Sequence, residues 1–297
     1  MSGATKLLYR ALSIADILTC SGLISGVITS SITAATGRRS DIACKVFGLL
    51  MTCAPGTSAI LILLLNLDRF ICITRPLQYP SIVTRWKSAV AIAIAIPYIS
   101  GFTTLFVLIH DRNLSVIREH KSLYVCKVAF SEPSFLPYTL LMFSSNMWLV
   151  AVILIAMYSK IIMISRHHIA RMNEHQKIAN RVLRTNGNAA LADEQDQIRS
   201  AAQHFDPSIV RAFRQNIRTL RTPLLITGGY LISWIPFSVV EVYISVSGAT
   251  YLLDGFLYKS VASAAAMNSS ANLFVYFLSR KDLRRAAKWV VLCRREN

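Results

Sequence analysis

Apolar residues in this chain gather into long runs separated by polar, mostly basic segments. Six runs stand out, at about 11–34, 44–70, 88–109, 135–164, 222–247 and 252–278. Each is long enough to cross a hydrocarbon layer as an α-helix, which takes about 20 predominantly apolar residues. The pattern therefore predicts an all-α membrane protein. Six crossings put both ends of the chain on one side. Lys and Arg crowd 69–87, 166–221 and 280–295, and the positive-inside rule makes that side the cytoplasm. Residues 166–221 form the one long polar stretch, with Glu174, Asp193, Glu194 and Asp196 scattered along it and a break at Asn186-Gly187-Asn188. It reads as a flexible cytoplasmic loop, and its ends, 166–181 and 207–221, have the composition to extend the flanking helices. Beyond the last run, 280–293 carries Leu283, Ala287, Trp289 and Val290 in an amphipathic arrangement, which predicts a short cytoplasmic helix.

Composition agrees with this reading. Hydrophobic residues make up 54% of the chain and charged residues 16%, with a mean hydropathy of +0.46; a soluble domain would spread such residues more evenly. The net charge of +17 flanks the predicted spans and faces anionic lipid headgroups, so it needs no nucleic-acid partner.

Position gives meaning to the cysteines. Cys44 sits at an outer helix end and Cys126 in the loop between the spans ending near 109 and starting near 135, so both face the oxidising side and can reach each other as a disulfide. Cys20, Cys53 and Cys72 fall within or at the end of spans and read as packing residues. Cys293 follows the amphipathic stretch beside basic residues, where a palmitoylated and an unmodified thiol are both consistent. Asn113-Leu114-Ser115 is a glycosylation sequon on the outer side. Asn268-Ser269-Ser270 is a sequon too, but it lies inside the last span.

Catalysis and transport find little support. The six histidines lie in loops or at span ends, with no His-Glu-x-x-His pattern and no nucleophile elbow. Asp16 is the one charge deep inside a span, whereas a transporter or channel is expected to show several, or an inverted repeat. Two further charges, Asp68 and Arg69, close the second run. At ~1.5 Å rise per residue Arg69 stands about 37 Å from Cys44, on the opposite face of a bilayer. Charges at a helix foot commonly snorkel to water.

Several segments fall in the order of a known family. Leu67-Asp68-Arg69-Phe70, followed by Pro76-Leu77 and Tyr79, resembles the Asp-Arg-Tyr signature and second cytoplasmic loop of rhodopsin-like (class A) G-protein-coupled receptors, with Phe70 where Tyr is usual. Leu12-Ser13-Ile14-Ala15-Asp16 resembles the start of that family's second helix, Ser233-Trp234-Ile235-Pro236 its sixth-helix Cys-Trp-x-Pro, and Asn272-Leu273-Phe274-Val275-Tyr276 its seventh-helix Asn-Pro-x-x-Tyr. Tyr158 stands at the fifth-helix activation tyrosine. The resemblance covers almost the whole chain from about residue 6.

The resemblance implies a seven-helix receptor bundle, of which six spans are visible, at the plasma membrane. Its partners would be an extracellular ligand, a heterotrimeric G protein, membrane lipids and a receptor oligomer. The implied coupling switch is Asp68, Arg69, Tyr158 and Tyr276: Arg69 pairs with Asp68 at rest and releases toward Tyr158 and the G protein as the sixth helix swings out. Trp234, Pro236 and Asn272 form the implied activation switch, because Pro236 removes a backbone donor and kinks its helix while Trp234 supplies a large lever. Asp16, Ser58, Asn268, Ser269 and Asn272 occupy sodium-pocket positions. A mid-membrane carboxylate must be neutralised, and either a sodium ion or protonation of Asp16 with a hydrogen bond to Asn272 does so. Met51, Thr52, Asn146, Phe237, Ser238, Glu241 and Tyr258 are expected around the ligand pocket. Glu241 either pairs with a basic ligand or faces interfacial water, the second being the commoner fate.

Departures from the family pattern refine the expectation. Met51 replaces the acid of amine receptors, which disfavours a monoamine, and Ala266 replaces the retinal lysine of opsins, so no Schiff base can form. Leu273 replaces the seventh-helix proline, Val150 stands at the fifth-helix proline position, Pro97 at the fourth-helix tryptophan position, and Pro55 is unusual in the third helix. Asn216 falls where many relatives carry an acid that helps hold the arginine, which predicts raised ligand-independent activity. Only Met1 to Arg10 precede the second-helix motif, so the family's first helix is expected to be missing by truncation. The rival expectation is a truncated, non-signalling receptor-like protein that acts through a partner.

Overall fold

The computed structural model describes residues 2–36, 41–110, 117–120, 125–130, 135–185 and 220–279. Its elements run α1 (Gly3–Thr36), α2 (Asp41–Thr74), a one-turn α3 (Tyr79–Ile82), α4 (Arg85–His110), β1 (Ile117–His120), β2 (Val125–Val128), α5 (Leu136–Phe143), α6 (Leu149–Thr185), α7 (Arg221–Ser247) and α8 (Phe256–Ser279). The long helices match the apolar runs. Among the described residues, five stretches have the length and apolarity to cross a membrane: Gly3–Thr33, Ile42–Thr74, Arg85–Ile109, Leu136–Ile164 and Arg221–Ser247. The expected sixth crossing, α8, is 24 residues long; its Ser and Asn residues and Lys259 make it less apolar than the others. It begins after a 3-10 turn at Thr250–Asp254, later than the sequence predicts. At the cytoplasmic end α6 continues to Thr185, as the helical composition of 166–181 predicts.

Burial is inverted relative to a soluble domain. Ile17, Ile24, Ile28, Ile94, Ile155 and Ile232 are exposed on the outside, while Asp16, Asn66, Asp68, Arg69, Asn268 and Asn272 are buried inside. Lipid solvates the first set, and the second finds partners only within the bundle. Hydroxyl groups within helices fold back on their own backbone, as Thr19 does on Ala15 O, Thr52 on Gly48 O and Thr57 on Cys53 O. That satisfies the hydroxyl without water.

Helix α2 is the hub, packing against α1, α4, α6, α7 and both strands, while α8 packs against α7 and α1. Pro55, Pro97 and Pro236 sit inside α2, α4 and α7. A π-helical segment, Ser144–Trp148, joins α5 to α6. The wider turn disturbs the regular ladder, and Tyr230 of α7 donates to Asn146 O there at 3.2 Å. Irregularity in this rod thus comes from a π segment where relatives are expected to use a proline. Helix α7 stops at Gly248, whose φ of 69° suits a residue without Cβ.

The antiparallel hairpin β1–β2, with Ile117 opposite Val128, is an element that the apolar pattern does not reveal. Cys126 on β2 is disulfide-bonded to Cys44 of α2, as their positions predict. Ile117 lies so close to α2 that a Cβ on Gly48 would stand 2.3 Å from its Cγ2. The hairpin therefore lies directly on α2, over the outer end of the bundle.

Candidate functional site

Buried polar groups line the interior from the cytoplasmic end to the outer end. At the cytoplasmic end, Arg69 Nε donates to Asp68 Oδ2 at 2.8 Å and its Nη2 stands 2.5 Å from the same oxygen. Thr5 of α1 donates to Asp68 Oδ2 at 2.9 Å and also meets Arg69 Nη2. Tyr79 of α3 donates to Asp68 Oδ1 at 2.7 Å. Asp68 and Arg69 are 3% and 6% exposed, so the pair is enclosed by protein rather than snorkelling to water. Burial raises the Tyr79 phenol above its ordinary value of 10.0, which keeps its proton available to Asp68.

Tyr158 does not reach toward this pair. Its hydroxyl donates to Asn66 Oδ1 at 2.5 Å, while Asn66 Nδ2 donates to Thr227 Oγ1 of α7 at 2.9 Å and to Ile62 O at 2.7 Å. One side chain on α2 therefore joins α6 and α7. Below it, Ile73, Ile161 and Leu220 form a separate small core with Phe70 and Tyr158 against it, closing the three helices at their cytoplasmic ends.

In the middle, Asp16 Oδ1 accepts from Ser58 at 3.3 Å and Asn272 at 3.5 Å, and Oδ2 accepts from Tyr276 at 3.3 Å. Asn268 and Ser269 are buried, and Asn268 Oδ1 has no hydrogen-bond partner among the described residues. A carboxylate and hydroxyl oxygens are donor types that suit a hard cation, and the orphaned Asn268 oxygen lies 3.6 Å from where a Cβ on Gly229 of α7 would stand. Tyr276, expected at the coupling switch, is held by the Asp16 group.

At the outer end a cavity of about 110 Å³ opens between α1, α2, α5, α7, α8 and the hairpin. Met51, Thr52, Phe237 and Tyr258 line it, together with Trp234 and Lys127. Trp234 stands edge-on to Phe237 at 5.7 Å. Asn146, Ser238 and Glu241 are not among its lining residues. Ser238 accepts from Trp148 Nε1 at 2.9 Å and ties the π segment to α7 beside Pro236, and Asn146 Nδ2 donates to Ser145. Glu241, expected at the water interface, is wholly buried. Its Oε1 lies 2.6 Å from Lys127 Nζ and accepts from Tyr258 at 2.6 Å. Burial is tolerated because Lys127 reaches in from β2 to neutralise it.

Sequence reasoning missed Asn66 and Lys127. Asn66 lies three residues before Arg69 on one helix face, a weak signal that was available. Nothing in the sequence shows that Lys127 points inward. Asn113, Asn216 and Cys293 lie outside the described residues, as does the amphipathic stretch 280–293.

A family model described as 7 transmembrane receptor (rhodopsin family) matches residues 1–276. The alpha-1A adrenergic receptor of Oryzias latipes is 22% identical over 250 residues, covering 82% of this chain and 50% of that receptor. The histamine H2 receptor of Cavia porcellus is 23% identical over 259 residues, covering 86% and 61%. The octopamine receptor beta-1R of Drosophila melanogaster is 22% identical over 236 residues, covering 75% and 42%. The chain thus spans about half to three-fifths of the length of these relatives' first two members.

Proposed function

Because the chain belongs to the rhodopsin family of seven-transmembrane receptors, we propose that it converts binding of an extracellular ligand into activation of a heterotrimeric G protein at the plasma membrane. The mechanism is a population shift. A ligand in the outer cavity presses on Trp234, and α7 pivots at Pro236 so that its cytoplasmic end moves outward. That motion breaks the Asn66–Thr227 hydrogen bond and lifts Leu220 from Ile73 and Ile161. Tyr158 is then free to leave Asn66 for Arg69, and the opened cleft receives the G protein. No covalent chemistry is involved, in keeping with a family of receptors rather than enzymes.

Asn66 is the observation that carries this reading. It ties α6 and α7 to the helix that bears Arg69, so any outward swing of α7 must act through it. Asp16, Ser58, Asn268, Ser269 and Asn272 would hold a sodium ion, which supplies charge neutralisation and favours the closed bundle. For the ligand, Met51 offers no anionic partner for an ammonium, so a monoamine fits poorly although the similar proteins are named for adrenergic, histamine and octopamine receptors. A small molecule or peptide of other chemistry fits better, and retinal is disfavoured by Ala266.

The test is nucleotide exchange. The full chain in lipid nanodiscs is mixed with each class of G-protein α-subunit with βγ, and uptake of a non-hydrolysable GTP analogue is followed. Exchange above receptor-free discs, lost on Arg69→Ala in a protein that still melts cooperatively, is the expected result. A folded chain that stimulates none of the subunits, with or without cavity ligands, would instead be the non-signalling partner.

A further inference from the structure

Lys127 is the one charged residue lining the outer cavity among the described residues. Two of its three ammonium N–H groups are engaged, by Glu241 Oε1 at 2.6 Å and by the Tyr258 hydroxyl. The third has no acceptor among the described residues. The rings of Tyr258, Phe130 and Phe237 stand 4.8, 6.0 and 6.0 Å from Nζ and shield the ammonium from water. From the geometry we propose that the cavity takes a small monocarboxylate with an apolar body, and that Lys127 sets this choice. The inference rests on the reading of this cavity as the ligand site.

The cavity's remaining polar groups leave it little else to offer. Thr19 and Thr52 donate to the backbone of their own helices, and Tyr258 donates to Glu241. An entering molecule meets methyls, methionines and aromatic rings, with one N–H donor at the end. A carboxylate oxygen is the acceptor that gains most from a charged donor in a low-dielectric site. At about 110 Å³ the space is smaller than the apolar cavity of about 150 Å³ that holds benzene, but it is open on one side, so it takes a short alkyl chain or one ring whose far end stays outside.

An amine meets the opposite situation. Glu241 does not line the cavity and is fully buried behind Lys127, so an ammonium group would have to expel the chain's own cation first. Lys127 follows Cys126, which is bonded to Cys44, and this tether keeps its local concentration at Glu241 high. Glu241 Oε1 is therefore already taken by a cation, while its buried Oε2 has no hydrogen-bond partner among the described residues and is closed to the cavity.

The full chain in nanodiscs is titrated with phenylacetate, phenylacetamide and phenethylamine by calorimetry, after confirming cooperative melting and an intact disulfide. Phenylacetate is expected to bind about tenfold or more tightly than the amide, the effect of one charge-assisted hydrogen bond, and phenethylamine is expected not to compete. Glu241→Gln removes the competing anion and should tighten phenylacetate severalfold. Lys127→Met alone strands a buried carboxylate, so the decisive variant is Lys127→Met with Glu241→Gln, which removes both charges. In that pair acid and amide should bind alike, and Lys127→Arg should keep the preference.

Tighter binding of phenethylamine than of phenylacetate, an acid preference that survives the double variant, or a folded wild type that binds none of the three would each overturn the inference. Nucleotide exchange is read separately. Exchange without carboxylate binding refutes this inference alone; carboxylate binding without exchange upholds it and counts against signalling.

Discussion

Tyr158 and Asn66 are joined by a 2.5 Å hydrogen bond from the tyrosine hydroxyl to Asn66 Oδ1, and the other end of the Asn66 amide holds Thr227. Replacing Asn66 by Ala frees both helices at once. It leaves the Tyr158 hydroxyl and Thr227 without their shared partner, at a cost of about 1–3 kcal/mol for buried polar groups. The expected outcome is a lower melting temperature together with raised ligand-independent nucleotide exchange. A melting temperature that falls while basal exchange stays unchanged would make Asn66 a packing residue and remove it from the switch.

Alkaline pH should loosen the Asp68 clasp through Tyr79. The phenol's folded value is raised above its ordinary 10.0, chiefly by burial. A raised value means that the folded protein holds the proton more tightly than the unfolded chain. Its contribution to stability is therefore complete below the unfolded value and fades as pH rises through the folded one. Wild type should melt above Tyr79→Phe while pH stays below the phenol's ordinary value of 10.0, and the gap should close as pH rises past it. A gap that is constant across that range would show that the Tyr79 proton plays no part.

Gly48 is required by the hairpin. A methyl group there would stand 2.3 Å from Ile117 Cγ2 and 3.5 Å from the Cys126 backbone, and neither a β-branched side chain nor a disulfide-anchored strand can easily retreat. Gly48→Ala should cost about 1–3 kcal/mol, the usual range for overpacking, and weaken ligand binding by lifting Lys127 from the cavity. Adding Ile117→Ala should restore much of both, as seen by thermal melting and ligand titration. Failure of the second change to rescue the first would point to helix α2 itself.

Much of the bundle was legible because lipid imposes one rule on every span: apolar outside, length fixed by bilayer thickness. The Cys44–Cys126 bond was legible from sidedness, and Asp68 beside Arg69 from adjacency. What escaped depends on three-dimensional convergence. Glu241 reads as an interfacial acid because its neutralising cation lies 114 residues away in sequence, on a hairpin too short to leave a pattern. The hairpin's strands span only four residues each. The π segment at Ser144–Trp148 is equally silent, because a π turn uses the same residue types as the α-helix around it.

Leu220 gives the sharpest separation between stability and switching. It precedes α7 and is buried with Ile73 and Ile161, far from the main core that encloses the cavity. Leu220→Ala removes apolar contact from Ile73 and Ile161, from whose helices α7 moves away in the proposed swing, so the closed bundle loses about 1–3 kcal/mol, below the full range for a deep core site because the cluster is small. The open bundle has already given up that contact and loses nothing. The substitution should therefore raise basal exchange and leave the affinity of the G-protein-bound form for a cavity ligand unchanged, while Leu220→Met, which keeps the volume, should resemble wild type. Equal loss of ligand affinity in coupled and uncoupled receptor would mean that Leu220 supports both states alike, and the cytoplasmic cluster would not be the latch.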